Sequence, residues 1–139
     1  MKDKRSAVLV AEDMGEMRLL LGMILKELGY RDIAFASTGL EAEKLCHKRQ
    51  FRLAFLDIEL PGMSGIEVMK KLRVQLPDCF CLVVSAHSDP DNVKCALAAG
   101  AHGFIVKPYR ARQIAEALET YEIFARSRSR SCPAAGTPA

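Results

Sequence analysis

Five short apolar runs, separated by segments in which apolar residues recur at helical spacing, constrain the fold of this chain more than any other feature. They are residues 7–11, 33–36, 53–56, 81–84 and 104–106. Wholly apolar runs of this length are typical of strands buried on both faces of a parallel sheet. Strands that alternate with crossover helices predict right-handed βαβ units with helices on both faces. We therefore predict an α/β fold built on a five-stranded parallel sheet.

The helical segments are interpreted as core elements and not as cofactor-binding motifs. The first has apolar residues at 17, 20, 21, 24, 25 and 28, and Gly29 suits its carboxyl terminus. The last apolar stripe ends near Ala125. Beyond it the sequence changes to Arg/Ser repeats and then to Pro, Ala, Gly and Thr, which bury little apolar area, so we expect disorder. The sequence thus predicts one domain over residues 1–125 and a disordered tail or linker over 126–139.

The net charge of +3 comes from this tail. Three of the 20 basic side chains lie there, at positions 126, 128 and 130, and none of the 17 acidic ones does, so residues 1–125 are balanced. We therefore expect no direct nucleic-acid binding by the domain itself. The tail is open to two interpretations, an anion-binding arm or linker to a further domain, and a solvated segment without a specific role.

The cysteines and the amino terminus favour a cytoplasmic location. The five cysteines (46, 79, 81, 95 and 132) lack metal-site spacing, and we expect them to be reduced core residues. The first apolar run is too short for a signal sequence or a membrane span, so no membrane association is expected.

Polar side chains stand directly after four of the five apolar runs: Glu12 and Asp13, Asp57, Ser85, and Lys107. The carboxyl ends of parallel strands meet at one edge of an open α/β sheet, which is where such sheets bind ligands. Three carboxylates at one edge would repel each other and raise at least one pKa unless a cation is present. Mg²⁺ prefers oxygen ligands and keeps several waters. Asp57 and Asp13 are therefore candidates for direct ligands, with Glu12 acting through water.

The same residues suit phosphoryl transfer. An aspartate is ionised at neutral pH, so Asp57 can attack phosphorus without a separate base and form an aspartyl phosphate. Such transfer is catalysed mainly by positioning and by neutralising the phosphoryl oxygens. Mg²⁺ and Lys107 balance the three carboxylates before modification, and a small negative surplus follows it. The Ser85 hydroxyl and backbone N–H groups would meet that surplus.

Each residue alone also has a simpler interpretation. Asp57 suits a turn or a helix N-cap, Glu12 and Asp13 suit the start of the first helix, and Ser85 suits the cap of the fourth. Lys107 suits a solvated charge at a strand end. These separate roles do not explain why all of the residues fall at the carboxyl ends of strands.

Four separated segments resemble the bacterial two-component response-regulator receiver domain, in particular its chemotaxis-type members. The segments are 8–13, 56–65, 83–86 and 100–108, and the similarity covers residues 6–124. The resemblance implies a flavodoxin-like (βα)5 fold, doubly wound, with the strand order 2-1-3-4-5. It implies a domain that assists its own phosphorylation and dephosphorylation and is not a classical enzyme.

The resemblance also implies a role for each site residue. Asp57 would accept a phosphoryl group from a histidine kinase or a histidine phosphotransfer protein. Glu12, Asp13, Asp57 and the backbone carbonyl of Glu59 would surround Mg²⁺. Lys107 would bind a phosphoryl oxygen, with a cis bond to the following proline. Ser85 and Phe104 would form the switch pair, and Phe104, which lacks the hydroxyl of the more usual tyrosine, would be biased inward.

Phosphorylation would change the surface made by the fourth helix, fifth strand and fifth helix. Met14, Lys94, Phe104 and Tyr109 are candidates for contact with a downstream output protein or domain. Glu59 and His87 occupy positions that tune hydrolysis of the phosphoryl group in this family. The domain would act as a monomer or as a phosphorylation-dependent dimer.

Two further functions compete with a stand-alone receiver. The chain would be the receiver fragment of a larger regulator, for example a DNA-binding one, if the tail is a linker. A flavodoxin-like cofactor-binding protein is disfavoured, because no Gly-rich loop follows the first strand. Glu12 and Asp13 occupy that place and would repel a nucleotide phosphate.

Overall fold

Five strands and five helices alternate along the chain. The computed structural model describes residues 6–87 and 89–135, with side chains through residue 127. The strands are β1 (Val8–Ala11), β2 (Ile33–Ala36), β3 (Leu53–Asp57), β4 (Phe80–Ser85) and β5 (Gly103–Val106). The helices are α1 (Gly15–Glu27), α2 (Gly39–Lys48), α3 (Gly65–Gln75), α4 (Pro90–Ala98) and α5 (Ala111–Ala135). All strand pairs are parallel and the order is β2-β1-β3-β4-β5, which confirms the predicted flavodoxin-like topology.

The sheet is covered on both faces, as the apolar runs predict. Successive residues of a strand point to opposite faces. Accordingly, Leu9 and Ala11 of β1 belong to the core beneath α2, α3 and α4. Val8 and Val10 belong to a second core beneath α1 and α5. Because β1, β3 and β4 are buried along their whole length, they form a rigid support for the residues at their carboxyl ends.

Three helices begin at side-chain caps that come from loop residues. Thr38 accepts from a backbone N–H of α2, and Asp89 does the same for α4. Ser64 and Glu67 form a capping box at the start of α3. The N-cap of α1 is Met14, which makes no side-chain cap bond. Helix capping therefore does not explain the polar residues at the carboxyl ends of β1, β3 and β4.

The last helix runs to Ala135, past the end near Ala125 that the apolar pattern predicts. Among the residues of α5 whose side chains are described, which end at 127, Phe124 and Ala125 are the last that pack against the sheet core. Three arginines and two alanines, which are good helix formers, lie among residues 126–135. The backbone over 126–135 is therefore helical where disorder was predicted. Residues 136–139 lie outside the described residues, and the division into domain and tail stays a prediction.

Within the described residues, no helix combines the length and the apolar character needed to cross a membrane. Three of the cysteines, Cys46, Cys79 and Cys81, are buried in one core, as expected. Burial raises the pKa of Cys46 to about 12, which keeps its thiol unreactive. Cys95 differs from the prediction, because it is exposed on α4. The side chain of Cys132 lies outside the described residues.

Candidate functional site

The polar residues singled out from the sequence lie at one edge of the sheet. Glu12 directly follows β1, Asp57 ends β3, Ser85 ends β4 and Lys107 directly follows β5. The strand order reverses at β1, which pairs with β2 on one side and with β3 on the other. The carboxyl ends of strands at such a switch point border the crevice in which open α/β sheets bind ligands.

Three carboxylates converge there. Glu12, Asp13 and Asp57 each place a carboxylate oxygen within 4.8 Å of the others. Glu12 and Asp57 are buried, with 0% and 2% of their surface exposed, whereas Asp13 faces solvent. The prediction that these three carboxylates lie close together is therefore confirmed. Carboxylate oxygens with one side open to water are the donor set that suits a hard divalent cation such as Mg²⁺, which retains several waters.

Lys107 bridges two of these carboxylates. Its Nζ lies 2.7 Å from Oδ2 of Asp57, and 2.8 Å and 3.0 Å from the two carboxylate oxygens of Glu12. Only 9% of the Lys107 side chain is exposed, so it is not a solvated strand-end charge. Its peptide bond to Pro108 is cis, as the resemblance implied. Charge-assisted hydrogen bonds of this length are strong, and they fix the ammonium between β1 and β3.

Burial and neighbouring charged groups shift the pKa values of Glu12 and Lys107. Burial raises the pKa of Glu12, the Lys107 hydrogen bond partly offsets this, and the nearby Asp57 carboxylate raises it again. Burial would lower the pKa of Lys107, but its hydrogen bonds to Asp57 and Glu12 outweigh burial and the pKa is raised. Lys107 is therefore held in its charged form, and the ionisation of Glu12 depends on that charge.

The backbone around Asp57 is shaped for a close approach. Oδ1 of Asp57 accepts the backbone N–H of Glu59 at 2.9 Å, so the turn-forming role proposed for this aspartate exists alongside its contact with Lys107. The first residue of α3, Gly65, packs directly on the Asp57 backbone, and a Cβ there would collide with the Asp57 carbonyl. The sequence places a glycine at this position because only a residue without Cβ fits.

The predicted switch pair lies beside the site. Ser85 is fully buried, and its Oγ accepts the backbone N–H of His87 at 2.9 Å. Phe104 is partly buried against the core beneath α2, α3 and α4, in register with Val83 of β4. The exposed imidazole of His87 lies 3.2 Å from the carboxylate of Glu59. The switching and tuning roles of these residues stay predictions.

Among the described residues, two side chains that the sequence did not assign to the site contact it. The Tyr109 hydroxyl donates to Oε1 of Glu12 at 3.1 Å. Tyr109 as a whole residue is 6% exposed, so the expectation that it contacts a partner is wrong for this structure. Arg18 donates from Nη1 to the backbone carbonyls of Glu12 at 2.9 Å and Asp13 at 3.2 Å. No motif marks either residue, because a contact between a helix or loop side chain and another loop has no fixed sequence spacing.

Comparisons with known proteins agree with this geometry. The protein-family model described as the response regulator receiver domain matches residues 8–119. The chemotaxis protein CheY of Pseudomonas aeruginosa is 31% identical over 114 residues, which span 81% of this chain and 92% of the relative.

Solved structures are similar as well. The crystal structure of a CheY-like response regulator receiver domain protein from Methanospirillum hungatei matches with a TM-score of 0.82 at 27% identity, covering 88% of this chain and 98% of that one. A response regulator from Burkholderia pseudomallei, solved with a phosphorylated aspartic acid, a calcium ion and citrate, matches with a TM-score of 0.76 at 25% identity. That match covers 89% of this chain and 72% of the other.

Proposed function

Because the chain belongs to the response-regulator receiver family, as a CheY-like receiver domain, we propose that Asp57 accepts a phosphoryl group from a histidine kinase or a histidine phosphotransfer protein. Receiver domains of this family are signalling domains of two-component systems and not classical enzymes. The cofactor-binding alternative loses its support, since the crevice at the switch point holds carboxylates where a nucleotide phosphate would need N–H donors.

The observation that carries the proposal is the contact between Lys107 and Asp57 at 2.7 Å. A buried ammonium held against a carboxylate lies where the oxygens of an incoming phosphoryl group would arrive. Repulsion between those oxygens and the nucleophile is the main obstacle to transfer, and a fixed cation reduces it without reorganisation.

The transfer itself needs little from the protein beyond this arrangement. A carboxylate oxygen of Asp57 attacks phosphorus and forms a P–O bond, while the bond from phosphorus to the donor histidine nitrogen breaks and its electron pair returns to that nitrogen. The Glu59 backbone N–H orients the carboxylate through Oδ1. Lys107 then holds a phosphoryl oxygen, and the Ser85 hydroxyl turns from the N–H of His87 to the phosphoryl group.

The donor set fits Mg²⁺. The carboxylates of Glu12, Asp13 and Asp57, with the backbone carbonyl of Glu59, would hold the ion, and when bound it supplies positive charge that neutralises phosphoryl oxygens. The similar Burkholderia pseudomallei response regulator was solved with a calcium ion and a phosphorylated aspartic acid. The first supports a divalent cation as a ligand of this chain, and the second supports phosphorylation of an aspartate.

The proposed output is a change in the surface formed by α4, β5 and α5. Lys107 is the residue after β5, and its backbone N–H donates to the carbonyl of Ser85 at the end of β4. A shift of either residue therefore acts on the ends of two neighbouring strands. Phe104 in β5 would turn further inward as Ser85 moves, and the altered surface would bind an output protein or domain.

The proposal is tested by incubating the protein with Mg²⁺ and a small phosphodonor such as acetyl phosphate and then measuring its intact mass. The wild-type mass should rise by one phosphoryl group, and Asp57→Asn should abolish the rise. Asp78→Asn, which changes an exposed aspartate at the opposite end of the sheet, is the matched control and should behave as wild type. An unchanged wild-type mass under conditions that modify a known receiver would refute the proposal.

A further inference from the structure

We propose that Tyr109 is a positioning residue whose hydroxyl holds Glu12 in place while Lys107 leaves it for the phosphoryl group. The inference rests on the proposed function of Asp57. Its starting observation is the bond from the Tyr109 hydroxyl to Oε1 of Glu12 at 3.1 Å, between two side chains that are 6% and 0% exposed.

Among the residues that the structure describes, the Glu12 carboxylate has three hydrogen-bond donors. Lys107 contacts both of its oxygens, the backbone N–H of Met14 donates to Oε2 at 3.3 Å, and Tyr109 donates to Oε1. Lys107 is also the donor to Asp57, so a single ammonium serves two buried carboxylates. A phosphoryl group on Asp57 adds further acceptor oxygens that compete for the same ammonium.

Loss of Lys107 from Glu12 would leave a fully buried carboxylate in need of donors. A buried charge with too few partners is costly, and such a carboxylate would tend to keep Lys107 for itself. Among the described residues, the Tyr109 hydroxyl and the Met14 N–H are the two hydrogen-bond donors to Glu12 that do not depend on Lys107. Of these, the Tyr109 bond is the shorter, and it comes from a side chain fixed by its packing.

The packing explains why the hydroxyl stays in place. The Tyr109 ring lies in the core beneath α1 and α5, together with Ile105 and Ile114. A phenylalanine would occupy nearly the same volume there, so the ring is sufficient to fill this part of the core without the hydroxyl. Within the described part of the chain, the bond to Glu12 is the one hydrogen bond that the hydroxyl makes. It therefore serves the acidic site and not the core.

The experiment compares Tyr109→Phe with the wild-type protein in its affinity for beryllofluoride, an analogue of the phosphoryl group, at a fixed Mg²⁺ concentration. Binding is followed by amide resonances in two-dimensional NMR spectra. We expect Tyr109→Phe to weaken binding about tenfold, because a buried Glu12 carboxylate with one hydrogen-bond donor fewer holds Lys107 more tightly in competition with the phosphoryl analogue. Tyr121→Phe removes another buried hydroxyl, which pairs with Ser6 near the opposite end of the sheet, and should leave the affinity unchanged.

Two further measurements separate positioning from general stability. In a Glu12→Gln background, Tyr109→Phe should have less than a twofold further effect, because the residue acts through the carboxylate. The Tyr109 side-chain carbon bonded to the hydroxyl, observed with labelled tyrosine, should shift in Glu12→Gln and not in a Lys70→Gln control on the surface of α3.

The outcomes are distinct. Equal beryllofluoride affinity of wild type and Tyr109→Phe, or additive effects of Tyr109→Phe and Glu12→Gln, would overturn the inference and leave the function of Asp57 untouched. A wild-type protein that fails to bind beryllofluoride, or an Asp57→Asn variant that binds it equally well, would instead overturn the proposed function.

Discussion

Replacement of Lys107 by methionine tests the charge balance of the site through stability alone. Methionine approximates the volume of the lysine stem but removes the ammonium that serves Glu12 and Asp57. Breaking a buried ion pair by removing one partner costs about 3–5 kcal/mol. The exposed carboxylate of Asp13 shows that the site opens to water on one side, so we expect about 3 kcal/mol here, at the low end of that range. For a domain of this size the loss lowers the melting temperature by about 10 °C.

The free energy of unfolding that Lys107→Met loses should depend on pH, and the ionisation of Glu12 sets the direction of that dependence. Its pKa is already raised by burial, and removing Lys107 removes the contact that lowers it. A carboxyl group with a higher pKa in the folded than in the unfolded state binds its proton more tightly when folded. Stability then falls as the pH rises above the ordinary carboxyl pKa of 4.5. The deficit of Lys107→Met relative to wild type should therefore be smallest near that pH and largest at neutral pH.

The assay is urea unfolding in EDTA, followed by circular dichroism, at several pH values between 4.5 and 8. Lys70→Met, at an exposed position of α3, is the matched control and should stay within about 0.5 kcal/mol of wild type. A Lys107→Met variant that loses less than about 1 kcal/mol at neutral pH would contradict the cost assigned to the unpaired carboxylates. A loss of unfolding free energy that is the same at every pH would contradict the assignment of the pH dependence to the raised pKa of Glu12.

Two further predictions concern the backbone and the metal. Gly65→Ala should destabilise the protein by about 2 kcal/mol in urea unfolding and slow phosphorylation, because its Cβ displaces the Asp57 carbonyl, whereas Gly15→Ala at an uncrowded position should be nearly neutral. Mg²⁺ at 100 times its dissociation constant should stabilise the wild type by about 2.7 kcal/mol in thermal unfolding. Asp13→Asn should lose most of that gain, and an undiminished gain would exclude Asp13 as a ligand.

The fold could be predicted from the sequence because each strand carries its own local signal. The runs ending at Ala11, at Leu56 and at Val84 are apolar at every position. This pattern is typical of a strand that is covered on both faces, and the three strands are buried along their whole length. The extent of α5 could not be predicted in this way. Apolar residues at helical spacing indicate only the part of a helix that packs against a core. Beyond Ala125 the helix continues without such a pattern in the sequence, so its end could not be located.

The site was predictable to the extent that parallel topology brings strand ends together. That rule sufficed for Glu12, Asp57 and Lys107, whose positions follow from the strands they terminate. It could not find Tyr109 or Arg18, because their contacts depend on the path of loops after the strands. Tyr109 lies two residues past Lys107 and turns inward to Glu12, although the sequence suggested a surface position.

Lys107 also explains how a local charge change could act at a distance under the proposed mechanism. One ammonium satisfies two buried carboxylates on different strands, so it cannot turn to a phosphoryl group without weakening one of those bonds. Its backbone is bonded to the carbonyl of Ser85, which ties any movement to the ends of β4 and β5. Close-packed elements shift between discrete arrangements and do not deform continuously. A reassignment of one lysine would therefore bias the whole edge formed by α4, β5 and α5.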